Sequence, residues 1–88
     1  MFFWTKTDEK EVYIHINGEV CAEHIDFLHN NLMARLQYGY RRIVLDVNNV
    51  KRFDNTGITM LKTIRDRILK RGGELIIEDK NGIVDELV

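Results

Sequence analysis

The run Ile43-Val44-Leu45-Asp46-Val47 constrains this chain more than any other segment. It is short, β-branched and almost wholly apolar, the character of a buried central strand. On either side of it the hydrophobic period changes. Ile25, Leu28, Leu32 and Leu36 recur at three- and four-residue spacing between Ala22 and about Tyr38, and Ile58, Leu61, Ile64 and Ile68 repeat that spacing further on. Both patterns predict amphipathic helices. A buried strand flanked by two helices implies parallel neighbours reached by right-handed crossovers.

The remaining segments fill in that frame. Val12, Ile14 and Ile16 alternate with polar residues, predicting a half-buried strand over Glu11–Ile16 that ends at Asn17-Gly18. Residues 1–7 read as a preceding strand, with Asp8-Glu9-Lys10 as the polar turn of a hairpin. Gly39 is placed to end the first helix, and a polar turn is expected after Val47. Lys70-Arg71-Gly72-Gly73 puts positive charge and then glycine at the end of the second helix. Glu74 to Glu78 (ELIIE) reads as a further buried strand, and Ile83, Val84, Leu87 and Val88 predict a short last helix from Asn81. The expected order is β-β-α-β-α-β-α, a mixed sheet with helices packed on it. At 88 residues, with no repeat or linker, this is one α/β domain covering 1–88.

Composition then removes whole classes of chemistry. Thirteen Lys and Arg against 14 Asp and Glu leave a net charge of -1, so no surface built for nucleic acid is expected. No apolar run is long enough to span a bilayer, and Met1-Phe2-Phe3-Trp4 is too short for a secretory signal. A single cysteine, Cys21, excludes an intramolecular disulfide and argues against a zinc site. A cytoplasmic protein is the expectation. The chain has no serine and no proline, which rules out a serine nucleophile. His24 and His29 are five apart and His15 sits on the strand face opposite Val12, Ile14 and Ile16, so no metal site is expected. Arg41-Arg42 and Lys51-Arg52 lack a glycine-rich phosphate loop and read as solvated charge; no cofactor is expected.

The segment Phe53-Asp54-Asn55-Thr56-Gly57-Ile58 opens the second helix. Asp, Asn and Thr accept hydrogen bonds from a first helical turn, and Gly57 allows close backbone approach. Two readings follow from these residues alone. They simply cap the helix, or the turn receives a phosphoryl group on Thr56 near free N–H donors and the positive end of the helix dipole.

At these residues the chain resembles the STAS domain family. The strand Ile43–Val47 followed by Asp54-Asn55-Thr56-Gly57-Ile58, Gly18-Glu19-Val20 upstream, and Arg71-Gly72-Gly73-Glu74-Leu75 downstream are similar to the family's motifs in order and spacing. The resemblance runs from about residue 2 to 88. It implies an anti-sigma factor antagonist: a non-enzymatic switch that binds an anti-sigma factor acting as its kinase, is released on phosphorylation, and is reset by a phosphatase. Carried over by position, Thr56 is the acceptor and Asp54 its acidic neighbour. Asp54, Asn55, Thr56, Gly57, Thr59, Met60 and Thr63 form the expected docking surface, with the three threonines on one stripe of the second helix and Met60 beside it. A second reading makes the chain an accessory subunit clasping the ATPase of an ABC lipid transporter, and a third a scaffold component of a stress-sensing assembly. Phe27, Ala34 and Tyr38 suggest another contact face on the first helix. The family usually continues past the position of Val88, so the ELIIE strand is expected as an open edge, with homodimerisation as one remedy.

Overall fold

A computed structural model describes residues 1–87. The elements in order are β1 (Phe2–Thr7), β2 (Glu11–Val20), α1 (Ile25–Tyr38), β3 (Arg42–Phe53), α2 (Asn55–Lys70) and β4 (Glu74–Glu78). The four strands form one sheet in the order β1-β2-β3-β4, with β1 antiparallel to β2 and the other pairs parallel. Two successive crossovers advancing in the same direction place both helices on one face of the sheet, as right-handed connections require. The core lies between. Val12, Ile14 and Ile16 of β2 and Ile43, Leu45 and Val47 of β3 meet Ile25, Leu28, Leu32 and Leu36 of α1 and Ile58, Leu61, Ile64 and Ile68 of α2.

The expected α/β order therefore stands through the fourth strand, while several boundaries differ. The turn expected after Val47 is strand: β3 runs on to Phe53, and β2 continues through Asn17-Gly18 to Val20. Two register irregularities explain why alternation hides this extension. β3 advances three residues from Asp46 to Asn49 while β2 advances two, and a second shift follows Val50. Val47, Val50 and Phe53 are thus buried at intervals of three instead of two. Upstream, α1 is entered through a 3₁₀ turn, Ala22–His24, where the His24 ring nitrogen accepts the Cys21 N–H at 3.0 Å. Gly39 ends α1 with φ +123, as its position predicts.

The helix expected from Asn81 is replaced by turns and a 3₁₀ segment, Asp85–Leu87. The Asp79 carboxylate accepts the N–H groups of Ile83 and Val84, each at 2.8 Å, and Gly82 has φ +72, which together hold a turn where a helix would begin. Val84 and Leu87 are nonetheless buried against the core, and Arg65 donates to the Leu87 carbonyl. Val88 lies outside the described residues. The ELIIE strand is a sheet edge as expected, although Leu75, Ile76 and Ile77 are only half-buried.

Candidate functional site

The turn from β3 into α2 stands at the carboxyl ends of the two central strands, where open α/β sheets gather their binding groups. Val20 and Phe53 are in register, and the Asp54 N–H donates to the Val20 carbonyl at 2.9 Å. Asp54 is the N-cap, with φ -62 and ψ 143. Its Oδ1 accepts both the Thr56 N–H, at 2.9 Å, and the Thr56 Oγ1–H, at 2.6 Å. The Asp54 main-chain oxygen accepts the N–H groups of Gly57 and Ile58. The Thr56 hydroxyl, and then the Thr56 N–H, hold the Asp54 carboxyl below its ordinary value.

This arrangement corrects one expectation about the turn. The N–H groups of Thr56, Gly57 and Ile58 are not free to receive a phosphoryl group, because Asp54 already engages all three. A helix start built on a good cap uses its donors internally.

Gly57 is required by packing. A Cβ there would lie 2.5 Å from the Phe53 ring and 2.7 Å from Ile25 Cδ1. The bare backbone lets α2 settle onto Phe53 and the first residue of α1, which fixes how far Thr56 projects.

Of the expected docking residues, Asn55, Thr56, Thr59 and Thr63 are exposed and Asp54 is half-buried. Thr59 Oγ1 donates to the Asn55 carbonyl and Thr63 Oγ1 to the Thr59 carbonyl, both at 3.3 Å, so these hydroxyls are turned onto their own helix. Gly57 and Met60 are buried. Met60 therefore does not flank the exposed stripe; α2 is packed by α1, β4 and the 3₁₀ segment Asp85–Leu87, and its buried arc is wide enough to include Met60.

Sequence reasoning missed a polar cluster on the sheet face that carries no helix. Asp46, 8% exposed, accepts the Tyr13 hydroxyl at 2.5 Å, pairs with His15 Nδ1 at 3.0 Å, and takes the Asn48 N–H at 2.9 Å. Burial alone would raise the Asp46 carboxyl; Tyr13, the Asn48 N–H and His15 outweigh it and hold the carboxyl below its ordinary value. The Asp46 carboxylate, with burial second, pushes the Tyr13 phenol well above its usual value. Trp4 stacks on His15 with centroids 5.1 Å apart. The available signal was the odd-numbered face of β2, Tyr13 and His15, opposite a carboxylate in an otherwise apolar strand. Among the described residues, no group of three or more His, Cys, Asp or Glu side chains is arranged to hold a metal ion.

A two-layer α/β domain with both helices on one face and a capped helix start beside its central strand ends is a narrow structural class. The STAS domain family model matches residues 4–88, and the chain belongs to that family. Solved structures share the fold. An anti-sigma factor antagonist from Mycobacterium paratuberculosis aligns with a TM-score of 0.81 and 13% identity, over 97% of this chain and 72% of that one. The anti-sigma factor antagonist SpoIIAA in its unphosphorylated form aligns with a TM-score of 0.78 and 14% identity, over 86% and 71%. The same fold recurs within Mglu, with a TM-score of 0.79 and 22% identity, where the match covers 91% of this chain and only 20% of that protein. No match was found among curated proteins. Among the described residues, no helix is long and apolar enough to cross a membrane.

Proposed function

We propose that this chain is a non-enzymatic interaction switch of the anti-sigma factor antagonist kind. It docks through the start and exposed stripe of α2 onto an anti-sigma factor that is also a serine/threonine kinase, and phosphorylation of Thr56 releases it. A phosphatase restores the binding form. The observation that carries this reading is the Thr56 hydroxyl, exposed at the helix start and held by Asp54 at 2.6 Å. Beside it, Asn55, Thr59 and Thr63 present a small-residue surface that a partner can approach closely.

The cap gives the modification a physical consequence. Phosphorylation would exchange the hydroxyl proton shared with Asp54 for a group of about -1.5 to -2 charge beside that carboxylate. Repulsion would then act within the turn, and the partner would have to desolvate the new charge. Both effects favour release.

The test is capture from native lysate with wild-type and Thr56→Glu baits. Recovery of an ATP-binding kinase by wild type alone is expected. Recovery of an ABC transporter ATPase by both baits would overturn the proposal and favour the accessory-subunit reading. Purified kinase and ATP should then modify wild type and leave Thr56→Val unmodified.

A further inference from the structure

Among the described residues the sheet has two edges, β1 and β4, and one cross-strand rule gives them opposite characters. Directly opposed like charges destabilise an antiparallel pair, while aromatic pairs stabilise it. Two β4 strands paired antiparallel about Ile76 would set Glu74 of each copy against Glu78 of the other. That edge repels its own copy, a common protection for a short edge strand.

The β1 edge does the reverse. Two copies paired antiparallel about Trp4 set Trp4 against Trp4, Phe3 against Thr5, and Phe2 against Lys6 twice. The faces agree, because Phe2, Trp4 and Lys6 lie in register with Asn17, His15 and Tyr13 on the helix-free side of the sheet. Phe2 is 62% exposed and Trp4 43%. Trp4 is held in place by its stack on His15 and its tilted contact with Tyr13, so little side-chain freedom remains to be lost. Lys6 is the single charge of β1. Over the ring of Phe2 its ammonium gains a cation–π contact. The two lysines fall four residues apart along the paired strands, roughly 14 Å at the usual rise, beyond the Debye length of about 8 Å at physiological salt. On the helix side, Phe27 packs edge-on against Phe3 with centroids 5.3 Å apart and extends the apolar surface beside the edge.

We propose that β1 is a self-association surface, through which a second copy of this chain pairs antiparallel over Phe2–Lys6 and joins two four-stranded sheets into one. α2 contacts β4, and the Thr56 turn at its start is hydrogen-bonded to Val20 of β2, so neither supplies the outer edge of β1 on which the pairing is built. The proposal is independent of what binds at Thr56.

Sedimentation equilibrium of the full chain tests it. The wild-type mass is expected to rise with concentration from the 10.4 kDa monomer toward the dimer. Phe2→Lys opposes Lys6 twice and should weaken association roughly tenfold, whereas Phe2→Glu should preserve it. Phe2→Lys combined with Lys6→Glu should restore what Phe2→Lys loses. Circular dichroism would verify that each variant is folded, and Glu74→Lys at the other edge should leave the dimer unchanged. A monomer at every concentration up to the millimolar range overturns the proposal. So does a dimer that treats Phe2→Lys and Phe2→Glu alike, or one that responds to Glu74→Lys.

Discussion

Asp54, Gly57 and Asp46 each fix a local geometry by a different physical route. Asp54 acts as a cap, so Asp54→Ala should lower the urea midpoint without altering the slope, and Asp54→Asn should retain most of the stability because asparagine caps nearly as well. Gly57→Ala forces a methyl group against Phe53 and Ile25, and should cost about 1–3 kcal/mol as an overpacking defect, measurable by denaturant unfolding. Asp46 makes a pH prediction. Its folded carboxyl binds a proton less readily than the unfolded one, so its stabilisation is complete above the unfolded value of 3.8 and is lost as pH falls through the folded value. Melting temperature should therefore fall below about pH 4 in the wild type. Asp46→Asn should flatten that limb; an unchanged acid limb would show that other carboxylates govern it. The cap residues were legible in the sequence because capping is a local event. The partners of Asp46 were not, since Tyr13 and His15 reach it across a parallel pairing separated by more than 30 residues.

Elements divide by how local their determinants are. Both helices were predicted by period, because each carries its buried stripe in its own sequence. The strand ends were not: β3 continues six residues past Val47 through irregular pairing with β2, and no single-strand pattern reports a bulge shared by two strands. The last helix failed for a related reason, since its apolar spacing is real but Asp79 takes the first-turn donors. On α2 the buried and exposed faces should separate fold from binding. Ile64→Ala is expected to cost about 2–5 kcal/mol, seen in denaturant unfolding. Thr59→Asp and Thr63→Asp should leave the unfolding midpoint within about 0.5 kcal/mol of wild type while abolishing partner capture. Unimpaired capture by both would remove this stripe from the docking surface.

For the whole molecule, a radius of gyration of 11.9 Å matches the roughly 12 Å expected of a single compact domain of this length. In such a small body the two helices cover one face of the sheet, and among the described residues no helix covers the other. The Thr56 turn follows β3 and is hydrogen-bonded to Val20 of β2, whereas the outer edge of β1 lies on the far side of β2. The proposed partner site and the proposed pairing edge are therefore different surfaces, with Phe2 and the turn toward the same end of the strands. If both operate, the complex should contain one partner per chain, which light scattering coupled to size exclusion would read as two chains and two partners. A complex of one partner per dimer would show that the two surfaces interfere.

The sequence by itself determined the α/β class, the order of the elements through β4, both helical core faces and the cap at Asp54–Thr56, because periodicity and capping act within a few residues. Tertiary structure decided the rest. The wide buried arc of α2, which includes Met60, depends on α1, β4 and the Asp85–Leu87 segment packing around that helix. The need for Gly57 depends on Phe53 and Ile25 arriving from other elements. The Tyr13–Asp46–His15 cluster depends on strand register. These are contacts between segments distant in sequence, and only the packed sheet brings them within reach of one another.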